Sequence, residues 1–505
     1  MEQAAEPVLR QHPGVREAAV ATIEAGLVAF VVPDDAYVDG VLGRRNAEAT
    51  VLNRWQKTYD LNQSTPAAIA APRGFNTVGW DSSYTRQPIP TEEMREWVQT
   101  SVNSILQLGP QRVYEIGCGT GMLLTRIAPR CERYVAVDFS REVLRRVREQ
   151  LDSMPDVAER VELMERRADN FEGLESNSFD TVVINSAAQY FPHVAYLTQV
   201  LEQAVRVVRP GGRVFVGDVR SFPLLPAFTV SVELYQAAEA MELAELRERV
   251  RRRLRHMPEL VLSPAYFLAL QQRMPRVSGV EISLRGGRED NEMTRYRYNA
   301  VLHVGEDGEP GEEIPFREWT RAEGSVDGMH ELLRRESGAF GLRGIPNARI
   351  AEDVLAARLL WQGEASRTAE SLRREIREAE CEGIHPEDVL DLGGAGSDFA
   401  VQLSWAASRA DGSYDALFVP KGVAEHRSGR AVRWPQPEAR DFVRVANAPG
   451  QAKVRAELIE QLLAHCRTSL PGSRVPDAIL LVDAIPAGGD EAAAAWARLQ
   501  EAGSA

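Results

Sequence analysis

The sequence predicts an α/β fold organised as a Rossmann-like, mostly parallel sheet, and three observations carry that prediction. Between positions 112 and 218 short apolar runs alternate with helix-patterned stretches, as parallel strands joined by crossover helices require. The first run, Val113-Tyr114-Glu115-Ile116, leads into a turn with glycine at three alternate positions, Gly117, Gly119 and Gly121, and residues 122–128 continue with helical spacing. Such glycines let a backbone take positive φ and approach a ligand closely. The fourth and fifth runs, 181–185 and 213–218, are almost continuously apolar, as strands covered on both faces are.

Composition sets the outer bounds. At 505 residues the chain has room for two or three domains, and 44% hydrophobic with 7% aromatic residues is enough for packed cores. A net charge of −14, from 73 acids against 59 bases, argues against broad nucleic-acid affinity. Residues 247–255 are rich in arginine and read as one solvated helix face. The four cysteines, Cys118, Cys131, Cys381 and Cys466, show neither CxxC nor Cys/His spacing, so no metal site is expected and a reducing, cytoplasmic location is. No run is long enough to cross a bilayer, and the first residues are acidic where a secretory signal is basic, so neither membrane nor export is implied.

In chain order, residues 8–15 pattern as a helix and 17–23 and 27–32 as strands, too little to fold alone. Residues 34–70 read as a connector with some helical order, marked by Trp55 and Tyr59 at i, i+4. Residues 79–90 form a polar, aromatic loop carrying Tyr84 and Gln87, and a helix follows over 91–108 with Thr91 as its N-cap. Strands two and three fall at 134–137 and 161–166, and Pro210-Gly211-Gly212 is a turn feeding strand five. A helical insertion spans 222–275, where a lid over a substrate and a packing or dimer helix are both open readings. Two further strands, 280–285 and 295–303, complete the sheet in antiparallel fashion around a polar loop at 286–293. After an acidic, glycine-rich turn at 304–315 come helices at 330–336, 350–361 and 368–379 and strands at 400–404 and 416–419. Residues 421–450 are loop-like, 453–467 form an amphipathic helix, and a last strand lies at 478–482.

The spacing of the motifs narrows the ligand. A dinucleotide loop reads GxGxxG, with its pyrophosphate on helix-terminal amides, whereas Gly117, Gly119 and Gly121 with Cys118 make a flat, close turn suited to a ligand without phosphates. Asp138, with Phe139, closes strand two where a carboxylate takes both hydroxyls of a ribose, and Asp169-Asn170-Phe171 follows strand three where an acceptor meets an adenine amine. With Glu115, these positions describe S-adenosylmethionine (SAM). A nicotinamide dinucleotide is the competing ligand, disfavoured by the loop pattern and the antiparallel return. Asn185 and Ser186 leave strand four at the end where ligands gather in open α/β sheets, and Tyr84 and Gln87 are placed on the same side.

Methyl transfer is an in-line displacement on a sulfonium, so the protein must align nucleophile and methyl and leave the nucleophile a free lone pair. Tyr190 and Phe191 are candidates to face the sulfonium with their rings, or else to pack the next helix. The candidate proton acceptors are Glu292 with Asn291, Asp218 at the end of strand five, and His193, which as a lone histidine reads more readily as a cap or surface group.

Several stretches together resemble a known family. Gly79-Trp80-Asp81-Ser82-Ser83-Tyr84 with Gln87-Pro88-Ile89-Pro90, the glycine turn, Gln189-Tyr190-Phe191-Pro192, Pro210-Gly211-Gly212 through Ser221, and Asn291-Glu292-Met293 through Tyr298 look like the methyltransferase domains embedded in nonribosomal peptide synthetases. The resemblance covers about residues 50–420. It implies a class I SAM-dependent methyltransferase with a helical lid and an α+β C-terminal extension, plus a small split α+β remnant of an adenylation subdomain. Residues 8–33 resemble the stretch after the eighth core motif of an adenylation domain, and Leu470-Pro471 to Val475-Pro476 its ninth. The implied organisation is 1–34, first part of the subdomain; 35–70, linker; 71–285, SAM-binding core with lid; 286–425, C-terminal strands and extension; 426–505, second part of the subdomain.

Insertion at that point implies methylation of a backbone amine on an aminoacyl group tethered to a carrier protein, with adenylation domains or other synthetase modules as further partners. Two departures stand out. The ATP-binding adenylation subdomain is absent, and the ninth motif has Arg474 where the family carries methionine, with Ala487-Gly488-Gly489-Asp490-Glu491 in place of a final lysine motif. The chain therefore reads as a piece of a synthetase or as a stand-alone relative. Transfer to oxygen or carbon, and a non-catalytic docking module, are the competing readings.

Overall fold

A helix, Glu2–Arg10, earlier than the 8–15 expected, precedes two strands, β1 (Val15–Ile23) and β2 (Gly26–Pro33), that form an antiparallel ribbon in which Val20 faces Ala29. Alternate side chains of the apolar run in β2 point to opposite faces, and Val28 to Val32 are all buried, so both faces of this strand are covered. The structure is a computed structural model that describes residues 2–23, 26–34, 37, 48–305, 314–320, 325–424, 434–437, 445–447, 449, 451–482 and 485. It divides into two units, one spanning Met1–Arg54, Arg251–Pro258 and Ala448–Ala505, the other Trp55–Val250 and Glu259–Asn447.

The larger unit is built on a seven-stranded sheet. Its strands are β3 (Arg112–Ile116), β4 (Arg133–Asp138), β5 (Val161–Glu165), β6 (Phe179–Asn185), β7 (Val208–Arg220), β8 (Val277–Leu284) and β9 (Arg297–Val304). They lie in the order β5-β4-β3-β6-β7-β9-β8. The first five are parallel, β9 runs antiparallel to β7, and β8 antiparallel to β9. The order reverses beside β3, whose C-terminal end therefore opens a crevice at the glycine turn.

Local chemistry accounts for most boundaries. The helix Thr91–Leu106 buries Met94, Trp97, Val98, Ser101, Val102 and Ile105 at three- and four-residue spacing, one apolar stripe against the sheet core. Its N-cap is Pro90 and not Thr91: the proline already has the extended ψ of 142° that a cap needs, so Thr91 becomes the first helical residue, with Glu92 and Glu93 favouring the positive helix end. Strand β7 begins at Val208, earlier than the turn expected at 210–212, because Val208 already pairs with Phe179 before the register shifts across 209–212; a Cβ on Gly212 would lie 2.5 Å from the Asp180 carbonyl oxygen.

The insertion forms three helices, Leu225–Gln236, Leu243–Arg255 and Pro264–Arg273. The arginines of the second are not all on a solvated face. Arg247 Nε donates to the Leu360 carbonyl at 2.9 Å and Arg249 Nε to Glu233 at 2.8 Å, so both are used to dock the insertion.

The C-terminal extension carries a second sheet of β10 (Phe316–Glu318), β11 (Phe340–Ile345), β12 (Phe399–Ser404) and β13 (Tyr414–Pro420), in the order β10-β11-β13-β12. Sequence pattern alone finds β12 and β13 but misses β10 and β11. Gly341 and Gly344 interrupt the alternation in β11, and Gly341 is needed there because a Cβ would collide with the Phe316 ring at 2.2 Å.

The last strand, β14 (Ala478–Leu481), returns to the smaller unit and runs parallel to β2, with Ala478 opposite Val28. Leu9, Ala18, Ala29 and Val31 from the start of the chain share a core with Leu458, Leu462, Cys466 and Ile479 from its end, at about 1.5–3 kcal/mol for each large aliphatic side chain fully buried. What is too short to fold alone at the N-terminus is completed by residues more than four hundred positions away. Parts of the acidic turn (306–313), of the loop-like stretch (425–433 and 438–444) and the 487–491 segment lie outside the described residues. No helix among the described residues is long and apolar enough to cross a membrane.

Candidate functional site

The glycine turn has the backbone its sequence demands. Gly117 and Gly119 sit at φ +75° and +52°, and a Cβ on them would lie 2.9 Å from the Ala187 Cβ and 3.0 Å from the Tyr59 hydroxyl. The amides of Gly117 and Cys118 donate to the Val137 carbonyl of β4 at 2.8 and 3.1 Å. Asp138 then locks the turn: its Oδ2 accepts from the Gly119 amide at 3.0 Å and its Oδ1 from the Ser140 amide at 2.9 Å. Burial pushes the Asp138 carboxyl up to about 6, opposed by those two amides. Each oxygen has a second lone pair, which leaves Asp138 able to accept from two further hydroxyls.

Glu115 lies buried, and the Tyr134 hydroxyl donates to it at 3.0 Å. Burial raises it to about 7, and the proximity of Asp138 adds to the rise. Its partner is the neighbouring strand, so Glu115 supports the turn from within the sheet. The Cys118 thiol is also buried and pushed well up, which makes it a wall and not a nucleophile.

The region read from sequence as a connector contributes directly. The helix Glu48–Gln63 places Tyr59 over the turn, donates from Gln56 Nε2 to the Phe139 carbonyl at 3.1 Å, and accepts the Ser140 hydroxyl on Asp60 at 2.5 Å. The Tyr59 ring meets Phe139 edge-on at 6.3 Å between centroids, and Trp55 lies 4.8 Å from the ring of Tyr190. The i, i+4 pair of Trp55 and Tyr59 was the visible signal, and its target was not.

Asn185 ends β6 with both side-chain amide atoms buried and without a hydrogen-bond partner. A buried amide left unpaired costs about 1–3 kcal/mol, so a ligand with complementary groups is the natural complement. Ser186, next in the chain, takes φ +53° and accepts from Gln189 Nε2 at 2.9 Å. After β5, Asp169 accepts from the Tyr196 hydroxyl at 2.9 Å and pairs with Arg167 at 3.3 Å, while Asn170 accepts from the Glu172 amide at 3.0 Å in a tight turn. Phe171 is buried 5.5 Å from Tyr114 of β3, which ties this segment to the strand feeding the glycine turn. Arg167, Asp169, Asn170, Phe171, Glu172 and Gln203 line an open pocket there.

The donor and acceptor set fits SAM: a close glycine turn, an acid with spare lone pairs, an unpaired buried amide and an aromatic surface. Among the described residues no group of three or more His, Cys, Asp or Glu side chains is arranged to hold a metal ion.

The opposite side of the site is assembled from distant pieces. Glu292 is buried, its Oε2 accepting from the Ser83 amide at 2.7 Å and its Oε1 from the Ser83 hydroxyl at 3.0 Å, with Arg220 at 3.8 Å. The next residue of that loop, Tyr84, bonds to Ser231 at 3.2 Å and Tyr296 at 3.3 Å, and Gln236 Nε2 donates to the carbonyls of Ser83 and Tyr84 at 2.9 and 3.0 Å. Gln87 is exposed and serves the loop through its backbone carbonyl, which accepts from the Ser82 amide at 2.8 Å; its side chain is not brought to the glycine turn.

Two of the sequence candidates are corrected here, and His193 keeps its reading as a cap. Asn291 caps the short helix Glu292–Arg295, accepting from the Met293 and Thr294 amides and donating to Glu93 at 2.7 Å, so its amide is spent on the backbone that presents Glu292. Asp218 is fully buried at φ +61°, accepts from Trp97 Nε1 at 3.0 Å and is paired with Arg297, with Arg285 at 3.9 Å. Held by two guanidinium groups and an indole, this acid anchors the core. His193 caps the helix Val194–Val207 by accepting from the Tyr196 amide at 3.1 Å. Phe191 is buried against Tyr196 at 5.1 Å and follows its packing reading. Tyr190 stays with Trp55, its hydroxyl pushed up to about 12 by burial and by Glu259.

Residues 114–214 match the family described as Methyltransferase domain. Over 505 aligned residues the chain is 35% identical to chondramide synthase cmdD of Chondromyces crocatus, covering 95% of this chain and 12% of that protein. Cyclosporin synthetase simA of Tolypocladium inflatum aligns over 92% of this chain and 3% of its own length at 29% identity. The chain thus spans a small part of the curated relatives it matches. Among solved structures, the N-methyltransferase NodS from Bradyrhizobium japonicum WM9 in complex with S-adenosyl-L-homocysteine covers 50% of this chain and 98% of that one, at 15% identity and a TM-score of 0.31, a likeness too distant to argue from.

Proposed function

We propose that the chain is a methyltransferase domain of the kind embedded in nonribosomal peptide synthetases, and that it uses S-adenosylmethionine to methylate the backbone amine of an aminoacyl group tethered to a carrier protein. The observation that carries the reading is the reach of the similarity: 95% of the chain aligns to one synthase, well beyond the residues of the catalytic sheet. In this reading β1, β2 and β14 are the split remnant of an adenylation subdomain, and adenylation domains or other synthetase modules are neighbours of the chain. Cys118, Cys131, Cys381 and Cys466 are all free thiols, in keeping with work in the cytoplasm.

When bound, SAM supplies an electrophilic methyl group on a sulfonium. Asp138 would accept the ribose hydroxyls, Asn185 would pair its open amide positions with the same ligand, and Asp169 with Asn170 and Phe171 would hold the adenine. The rings of Trp55 and Tyr190 tolerate the positive charge and exclude water. On the other side Ser83 uses one lone pair on each Glu292 oxygen, and the remaining lone pairs take the proton that the acceptor amine loses.

The test is incubation with SAM and an aminoacyl-loaded carrier protein, read by intact mass and fragmentation. One added methyl on the backbone nitrogen is expected. A methyl on a side-chain oxygen or carbon overturns the acceptor assignment, and SAM binding without any transfer points to a docking module.

A further inference from the structure

We propose that Asp353, in the C-terminal extension, is a positioning residue that latches the loop at 79–90 closed over the acceptor side of the site. Four separate elements meet at this carboxylate. Its Oδ1 accepts from the Ser231 hydroxyl at 2.6 Å and its Oδ2 from the Tyr296 hydroxyl at 2.6 Å, with Arg295 at 3.4 Å. Ser231 belongs to the insertion helix Leu225–Gln236, Asp353 to the helix Ala351–Gln362, and Tyr296 lies just before β9. The fourth element is the loop itself, whose Tyr84 hydroxyl lies 3.2 Å from Ser231 Oγ and 3.3 Å from the Tyr296 hydroxyl.

A carboxylate only accepts, and this fixes the direction of the whole chain of bonds. Ser231 and Tyr296 each have one proton, and each gives it to Asp353. Their oxygens are then left as acceptors facing Tyr84, whose own proton closes the network. Burial, with Asp353 close by, raises both tyrosine hydroxyls, so they remain protonated donors. Asp353 is itself buried, and Arg295 offsets part of the cost of its charge.

The latch matters because Tyr84 follows Ser83, the residue that bonds Glu292 with both its amide and its hydroxyl. Holding Tyr84 therefore holds Ser83, and Ser83 orients the carboxylate assigned to the acceptor proton. One turn before Asp353, Arg349 donates to the carbonyls of Arg285 and Gly287, which anchors the loop leading to Glu292. The start of a single extension helix thus clamps both segments that meet at Glu292.

This inference rests on the methyltransferase reading, and its test separates the two. Hydrogen exchange is measured on the amides of residues 82–87 in the unliganded wild type, in Asp353→Asn, in Tyr84→Phe and in the double variant. An asparagine puts a donating NH2 where one of the two accepting oxygens stood, so one hydroxyl must turn round and the network breaks. Asp353→Asn is expected to speed exchange in this loop about tenfold, Tyr84→Phe about threefold, and the double variant no more than Asp353→Asn. Turnover with SAM falls about tenfold in Asp353→Asn while the KM for SAM is unchanged. Tyr84→Phe removes one oxygen and keeps the ring packing, so it reads the latch even if Asp353→Asn does not fold. Unchanged exchange in Tyr84→Phe, or multiplicative effects in the double variant, overturns the proposal. Faster loop exchange without methyl transfer to a carrier-bound amine leaves the latch standing and removes the acceptor assignment instead.

Discussion

The two sides of the crevice are built on different principles. The cofactor side is local: the turn 117–121, Asp138, Asn185 and the 169–171 segment all follow directly from the ends of adjacent parallel strands β3 to β6. The acceptor side is assembled at long range. Ser83, Ser231, Glu292 with Tyr296, and Asp353 come from four stretches of chain and are joined largely by side-chain hydrogen bonds. A cofactor common to many proteins can be held by a rigid strand-end scaffold, whereas on the proposed reading the acceptor side needs parts that open and close around a substrate delivered on a carrier. The contrast yields separable effects when each side is altered.

The largest effect is expected on the acceptor side. Glu292→Gln should lower kcat about a thousandfold while SAM affinity stays as in the wild type, as measured by steady-state kinetics and calorimetry. Ser83→Ala keeps the carboxylate and should cost far less. Normal turnover in Glu292→Gln would hand the proton to water.

On the cofactor side, Asp138→Ala should weaken SAM binding about thirtyfold, since each charge-assisted hydrogen bond contributes about 1.5–3 kcal/mol. Asn185→Ala sharpens the point. Because its amide is unpaired without ligand, the unliganded protein should change by no more than about 1 kcal/mol in denaturant unfolding, while SAM affinity falls about tenfold. A large loss of stability with unchanged affinity would assign Asn185 to the core.

Apart from ligand binding, the pH dependence of stability that Glu115 carries can be read by itself. Its carboxyl rises from an ordinary value of 4.5 to about 7 on folding. A raised carboxyl contributes fully below the unfolded value and loses that contribution as pH climbs through the folded one. Relative to Glu115→Gln, the wild type should therefore lose about 3 kcal/mol between pH 4.5 and 8, seen as a widening gap in unfolding midpoints. A constant gap would mean Glu115 is not titrating in this range.

The same contrast governs what the sequence discloses. Strand periodicity, the glycine turn and an acid at the next strand end are short-range patterns, so the sheet and the cofactor side were legible at 113–116, 134–137 and 181–185. The acceptor side was legible only through resemblance, and there two roles shifted: Asn291 became a cap and Asp218 the core partner of Arg297 and Trp97, whereas His193 is the cap that its lone position suggested. Nothing in the local pattern reveals that an acid faces two guanidinium groups brought in from β8 and β9. Trp55 and Tyr59 were visible as an i, i+4 pair, but a helix pattern does not name the surface it will cover. Asp353 was one acid among many on an amphipathic helix.

The most direct test of this division is a calorimetric titration of SAM into wild type, Asp138→Ala and Glu292→Gln, side by side. The account predicts saturable one-to-one binding that is weakened in Asp138→Ala and unchanged in Glu292→Gln. Equal affinity in wild type and Asp138→Ala, or a matching loss in Glu292→Gln, would contradict it.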